Sequence, residues 1–275
     1  MNTINAFTVD LEDWYQGIGI NMSEWNKYEK RIRIGHDRLL SLLSKHKVKA
    51  TYFVLGKVIE EHPDIIKEII DEGHEISCHS YSHPFLYDIT PEQFTHELDK
   101  CIELIKPFGV NYKGFRAPYF SIDHRNLWAL DIIKQKGFEY DSSIYPGDNK
   151  RTGIKGYNKN IHLLDNQLYE VPVCTFKFLI FEPALGGAYF RILPYNIFKK
   201  KFREISQLRP VIFYIHPWEF DLDHPYLSKL PPRIRYPHYY GLKYTEPKMQ
   251  KLLNDFEFKP LFNIIKELNF ESYER

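Results

Sequence analysis

The 275-residue chain has only three cysteines, Cys78, Cys101 and Cys174, widely separated and odd in number. That argues against a disulfide framework and against a cysteine-rich zinc site; the three are expected to pack as small apolar side chains. An excess of either charge is missing as well, because 37 Lys+Arg stand against 36 Asp+Glu, for a net charge of +1. The chain therefore lacks the clustered positive charge that nucleic acid or an anionic membrane selects. The basic run Lys199 to Arg203 reads as a solvated helix face. Hydrophobic stretches such as Val211 to Ile215 fall far short of the roughly 20 residues needed to span a bilayer. The opening residues, Met1 to Phe7, carry neither a basic stretch nor an apolar run, so they do not read as a secretory signal and a cytoplasmic protein is expected. Internal repeats and low-complexity tracts are lacking.

What is present is an ordinary globular composition, 43% hydrophobic and 27% charged, with an aromatic share of 16% from 20 Phe, 20 Tyr and 4 Trp. Such an excess fits either a rich core or a surface that stacks flat ligands. The length suits one α/β unit. Short apolar β-rich runs alternate with helix-period segments, the pattern of parallel strands covered on both faces. It predicts strands over Ile4–Asp10, Ala50–Leu55, Glu75–His79, Tyr112–Arg116, Phe138–Asp141, Leu168–Val173 and Pro210–His216. Helices are expected over Ile32–Lys45, Val58–Glu72, Pro91–Pro107, Arg125–Lys136 and Tyr195–Gln207, with Thr90 and Pro91 as N-cap and first-turn residues. A proline-rich stretch from Pro225 to Pro237 interrupts the pattern before a last helical region near Thr245–Asn254.

Chemistry-bearing residues gather at the strand exits. After the first strand come Asp10, Glu12 and Asp13, which would repel one another unless a cation or hydrogen bonds hold them; on an extended backbone Asp10 and Glu12 face one side and Asp13 the other. After the third come His79 and His83, whose spacing allows both imidazoles to meet one metal ion. Arg116 follows the fourth strand and needs an anionic partner, for which the acidic cluster is the obvious source. Asp141 and His216 end two more. Each alone could be a cap or a hydrogen-bonded core residue. In a β/α barrel, though, all five exits share the face where active sites lie.

In order and spacing, Phe7-Thr8-Val9-Asp10-Leu11-Glu12-Asp13, His79-Ser80-Tyr81-Ser82-His83-Pro84, Arg116-Ala117-Pro118-Tyr119, Tyr140-Asp141-Ser142-Ser143 and Tyr214-Ile215-His216-Pro217-Trp218-Glu219 resemble the motifs of the NodB-type polysaccharide deacetylases. The nearest likeness is to the branch associated with exopolysaccharide and O-antigen gene clusters. The resemblance implies a distorted, TIM-like (β/α) barrel over residues 1–275 as a single domain, with an aromatic C-terminal segment from about 222 packed on it. It implies a metal-dependent hydrolase that removes N-acetyl groups from amino sugars of a bacterial polysaccharide or its precursor. It further implies Asp10 as general base, oriented by Arg116, and His79, His83 and an acid as ligands of one divalent ion, foremost zinc. Glu12 is preferred as that acid over Asp13, although the common form of the motif has two adjacent Asp residues. His216 would be the general acid, with Asp141 a candidate to hold its imidazole, while Pro118 and the backbone around Tyr119 would help hold the acetyl oxygen. Trp14 and Trp218, expected near the barrel mouth, are candidates to stack on sugar, as are Tyr239 and its neighbours; packing onto the barrel serves equally well as their role. The expected partner is an N-acetylated glycan or sugar precursor, with no nucleic acid and no membrane span; the oligomeric state is not legible. Two other readings are a related hydrolase of small amides or ureides, and an inert carbohydrate-binding protein.

Overall fold

The computed structural model describes residues 4–147, 151–178 and 182–273. Among these residues, nine strands form one sheet: β1 (Asn5–Leu11), β2 (Thr51–Val54), β3 (Glu75–Cys78), β4 (Gly114–Phe115), β5 (Tyr140–Asp141), β6 (His162–Leu163), β7 (Tyr169–Glu170), β8 (Ile212–Ile215) and β9 (Phe258–Lys259). Their order is β6-β7-β5-β4-β3-β2-β1-β8, with β9 added beside β1. Pairings are parallel except that of β6 with β7. Every residue of β1 and β2 is buried, as expected where helices cover both faces of a parallel sheet. Among the described residues no ladder joins β8 back to β6, although single bridges, Gly186 with Tyr214 and Thr175 with Ala184, lie in that gap, so the α/β sheet is a curled half-barrel.

Among the described residues, ten helices follow in chain order: α1 (Ile32–Lys45), α2 (Gly56–Glu61), α3 (Pro63–Asp71), α4 (Pro91–Ile105), α5 (Trp128–Gln135), α6 (Gly187–Ile192), α7 (Tyr195–Ser206), α8 (Pro232–Tyr239), α9 (Thr245–Asp255) and α10 (Leu261–Tyr273). In α1, Ile32, Gly35, Leu39, Leu42 and Leu43 supply the buried stripe, which is the i, i+3, i+4 pattern of a helix seated on a core. Gly35 is there for space: a Cβ would stand 2.0 Å from the Pro217 carbonyl oxygen, so α1 sits directly on the turn that follows β8. The expected α4 cap is complete, Thr90 accepting from the Gln93 N–H and Gln93 accepting from the Thr90 N–H. The single helix expected over Val58–Glu72 is two helices, because Pro63 lacks the N–H that would continue the first and instead opens α3.

The strands expected at Tyr112–Arg116, Phe138–Asp141 and Leu168–Val173 shrink to two-residue ladders. The proline-rich stretch is not merely an interruption. Pro232 starts α8, which packs near α6. Further on, β9 joins the sheet and the Leu261 N–H donates to Thr51 Oγ1 at 2.7 Å. No helix among the described residues is long and apolar enough to cross a membrane.

Candidate active site

Because the strands that matter are parallel, their C-terminal ends open on one edge of the sheet. Asp10 at the end of β1, His79 after β3 and His216 after β8 meet there in a hollow of about 300 Å³, which His83, Tyr119 and Trp218 also help to line, while Arg116 after β4 lies behind Asp10.

Arg116 is 1% exposed. It donates from Nη1 to Asp10 Oδ1 at 2.7 Å and to Thr8 Oγ1 at 2.9 Å, from Nη2 to Ser142 Oγ at 3.1 Å, and from Nε to the Ser142 carbonyl at 3.3 Å. Its guanidinium lies 4.0 Å over the Phe53 ring. A charge so enclosed persists only when paired and hydrogen-bonded, and here the pairing fixes the Asp10 carboxylate with Oδ2 turned toward His216 Nε2, 3.9 Å away.

His79 holds its Nδ1 2.7 Å from the Arg116 carbonyl. That partner can only accept, so Nδ1 carries the proton and Nε2 is bare. Burial pushes the His79 imidazole down to about 4, which keeps it neutral, as a metal ligand must be. His83 places Nε2 2.7 Å from Glu12 Oε2. Glu12, His79 and His83 thus present three ligand atoms within 4.8 Å of one another, all buried. Burial raises the Glu12 carboxyl, but His83, His216 and His79 around it bring it down to about 2. Gly17 makes room for it: a Cβ there would lie 2.4 Å from Glu12 Oε1. The loop between the two histidines is tightly tied. Ser80 and His83 have φ of 65° and 58°, a region costly for residues with a side chain. One carboxylate on α4, that of Glu97, accepts from Ser80 Oγ (2.6 Å), the Tyr81 N–H (2.8 Å), the Ser82 N–H (2.8 Å) and Ser82 Oγ (2.6 Å).

His216 stacks on Trp218 with ring centroids 5.2 Å apart. The carboxylate at its Nδ1 is that of Glu219, at 2.8 Å, and Glu219 is itself ion-paired with the fully buried Arg191. Burial opposes charge on the ring, yet Glu219, Glu12 and Asp10 together push the imidazole up to about 9. The other face of the chain, then, supplies a protonated imidazole held by a carboxylate, pointing its Nε2 into the hollow.

Three expectations are corrected. Asp13 is not with the histidines; it accepts from the N–H groups of Trp14, Arg31 and Ile32 at 2.8, 2.8 and 3.1 Å, so it caps α1, because on the extended segment it faces away from Glu12. Asp141 does not reach His216. It takes the Ser143 hydroxyl at 2.6 Å, and that hydroxyl accepts from the Ala117 N–H at 2.7 Å, tying down the loop before Pro118. Trp14 is 1% exposed, donates to the Glu29 carbonyl at 3.0 Å and packs with Tyr15 and Tyr28, so it offers no face to a ligand. Trp218, by contrast, lines the hollow and donates to Glu12 Oε1 at 3.2 Å. Pro118 opens a short turn in which Tyr119 and Phe120 have φ of 58° and 52°, and the Tyr119 hydroxyl accepts from the Gly19 N–H at 3.1 Å. Glu97, Glu219, Arg191 and Gly17 had no role in the sequence reading. For Glu219 a signal existed: it stands three residues after His216, the spacing of a capping box, and the structure forms that box.

Fold and site together define an α/β protein in which the Asp10 carboxylate, the Glu12–His79–His83 cluster and the His216 imidazole surround one hollow. Residues 33–140 match the polysaccharide deacetylase family, and residues 142–266 match a domain of unknown function, DUF3473. The chain is 42% identical over 135 residues to the peptidoglycan-N-acetylmuramic acid deacetylase PdaA of Bacillus subtilis, which covers 40% of this chain and 51% of that protein. It is 33% identical over 118 residues to a peptidoglycan-N-acetylglucosamine deacetylase of Bacillus cereus, covering 38% and 43%. Over the first relatives of this kind the chain spans only 37% to 51% of their length. A candidate polysaccharide deacetylase from Mycobacterium smegmatis has the same fold, with a TM-score of 0.63 at 16% identity over 99% of this chain and 92% of that one. The likeness to polysaccharide deacetylases thus lies in residues 33–140, and each of the two Bacillus relatives aligns with less than half of this chain.

Proposed function

We propose that the protein is a metal-dependent hydrolase that removes N-acetyl groups from amino sugars of a bacterial polysaccharide or of its precursor. The observation that carries this reading is the convergence of Asp10, Glu12, His79, His83 and His216 on one hollow, with Arg116 and Glu219 behind them. Glu12, His79 and His83 would hold a divalent ion, for which nitrogen and carboxylate donors suit zinc and leave positions open for water and substrate. When bound, such an ion polarises the acetyl carbonyl and lowers the pKa of its water from 15.7 to about 7.

The chain's own residues do the rest. Asp10, oriented by Arg116, takes a proton from the attacking water. Charge then builds on the former carbonyl oxygen, and a backbone N–H in the Ala117–Tyr119 turn would donate to it, one such donor being worth about 2.7–4 kcal/mol. His216 gives its Nε2 proton to the departing amine, which is a poor leaving group until protonated, while Glu219 accepts from the Nδ1–H and stabilises the imidazolium until then. Trp218, with the His216 and His238 rings packed against it, would wall the hollow beside the sugar and hold His216 in place. The hollow of about 300 Å³ is at the low end for ligand sites and suits one amino-sugar residue at the reacting centre. An intracellular setting with a precursor substrate, and membership in the exopolysaccharide and O-antigen branch, belong to the same proposal.

The experiment is acetate release from N-acetylated oligosaccharides after stripping and restoring divalent ions, with metal content measured in parallel. His79→Ala is expected to lose both metal and acetate release; retention of both would refute the site.

A further inference from the structure

The hollow is lined by three guanidiniums in unlike situations. Arg191 is 1% exposed and saturated: Nε pairs with Glu219, Nη1 donates to the carbonyls of His238 (3.2 Å) and Tyr240 (2.6 Å), and Nη2 to that of Pro237 (2.6 Å). That is an arginine used to hold structure. Arg151 at the rim lies 4.6 Å over the Phe85 ring and 4.9 Å over Tyr119, so its charge is presented along the wall. Arg233 differs from both. It is exposed in the first turn of α8, and no hydrogen bond, ion pair or ring contact with a described residue engages it.

Its placement is nevertheless built. Pro231 and Pro232 stand just before it and Pro232 opens α8, which fixes the backbone there, and Ile234, Pro237 and His238 of the same helix line the same hollow. Among the described residues, the carboxylates in the hollow's lining are Asp10 and Glu12. Arg116 takes the first, and His83 faces the second at 2.7 Å. Neither is left for Arg233. A chain whose charges otherwise balance to +1 thus keeps an uncommitted guanidinium at the mouth of its reaction site. A guanidinium presents a planar fork that matches a carboxylate or a phosphate in bidentate fashion.

We propose that Arg233 is a specificity-determining residue that binds an anionic group of the substrate, a carboxylate or a phosphate carried on or next to the N-acetylated ring. The inference rests on the deacetylase reading above and names its substrate class: an acidic glycan or a phosphate-linked sugar rather than a neutral N-acetylglucosamine polymer.

The test uses the full chain with divalent metal restored and three probes: chitotetraose (neutral), a hyaluronan tetrasaccharide (carboxylate) and UDP-N-acetylglucosamine (phosphate). Binding is read by calorimetry and acetate release separately. One anionic probe is expected to bind about tenfold more tightly than chitotetraose, a difference of about 1.4 kcal/mol, and which one it is tells carboxylate from phosphate. Arg233→Gln should abolish that preference, Arg233→Lys should keep part of it, and raising the salt should weaken it in the wild type. Equal binding of all three probes by the wild type, or an undiminished preference in Arg233→Gln, overturns the proposal. A preference that depends on Arg233 without acetate release from any probe would keep the anion site and sink the deacetylase reading; release from chitotetraose with no anionic preference would do the reverse.

Discussion

Replacing Glu97 tests whether the metal-ligand loop is held from behind. Glu97 touches neither Glu12 nor either histidine, yet its carboxylate accepts four hydrogen bonds from Ser80, Tyr81 and Ser82, three of them on Oε2. Hydrogen bonds to a charged group are worth about 1.5–3 kcal/mol each. These four share one half-buried carboxylate and cannot simply add, so about 3–4 kcal/mol for the set is a reasonable scale. Against this stands the loop's own strain, since Ser80 and His83 both sit in the left-handed region at about 1–2 kcal/mol each. The two are comparable, so without Glu97 the loop has little to keep it in its ligand-presenting shape. Glu97→Ala should therefore weaken binding of a divalent ion by about 10–100-fold, the usual scale for groups behind metal ligands. Glu97→Gln should fall between, because one of its two oxygens becomes an NH₂ facing donors. The measurement is a competition titration against a chromophoric chelator, with circular dichroism and melting to confirm the fold. Metal affinity unchanged in Glu97→Ala would refute the clamp; so would a loss in Glu97→Ala that Glu97→Gln reproduces in full with an unaltered melting curve, since then charge at a distance and not hydrogen bonding would be at work.

Gly17→Ala puts a methyl group 2.4 Å from Glu12 Oε1, so metal affinity should drop more than tenfold while melting of the metal-free protein barely moves; an unchanged affinity would mean that Glu12 does not need this space. Glu219→Gln leaves Arg191, fully buried, without its counter-charge, and breaking such a pair costs about 3–5 kcal/mol, to be seen as a melting point several degrees lower. Acid should also reveal the buried imidazoles. His74, whose Nδ1 accepts from the Ala50 N–H at 3.0 Å, and His36 are pushed by burial from 6.5 down to about 4. Between those values the unfolded chain binds the protons that the folded one refuses, so their contribution is whole above pH 6.5 and is lost as the pH falls toward 4, by about 1.4 kcal/mol per unit for each. Asp13 and Asp141, which burial raises to about 6, act with the opposite sign below that pH. The histidine term is therefore read as the difference in urea stability between wild type and His74→Gln at pH 7.5 and at pH 5, which should shrink in acid; a constant difference would contradict it.

The fold was legible where a run of residues serves one purpose. β1 and α1 occupy nearly the spans their patterns predict, since a mostly apolar strand buried on both faces and a helix with a single buried stripe each leave a clear pattern. The errors fall where tertiary contacts replace local signals. Two-residue ladders such as β6 have no period to detect, and α8 carries Pro237 inside it, a residue that from sequence alone reads as a breaker.

At the site the same division holds, and it separates residues that touch the reacting centre from those that hold them. Asp10, His79, His83, Arg116 and His216 stand out together, because several strand exits that open on one face each carry a charged or imidazole group. Glu97 looks like an ordinary polar residue, and Asp141 stands out without showing its partner, since the purpose of both lies in hydrogen bonds to loops far away in sequence, 15 residues or more for Glu97 and through Ser143 to Ala117 for Asp141. The misassignment of Asp141 to His216 follows from this. Its position at a strand exit was right, but two carboxylates competed for one role and only the fold decides distance. Glu219 wins because the turn after β8 brings it back onto the imidazole three residues earlier, with Arg191 behind it to stabilise the charge. An acid–imidazole pair encoded within a single turn keeps its geometry through any shift between strands, whereas one bridging β5 to β8 would have to span the intervening sheet. The local solution is thus the one that keeps His216 aimed at Asp10 and Glu12 while the sheet around it stays open.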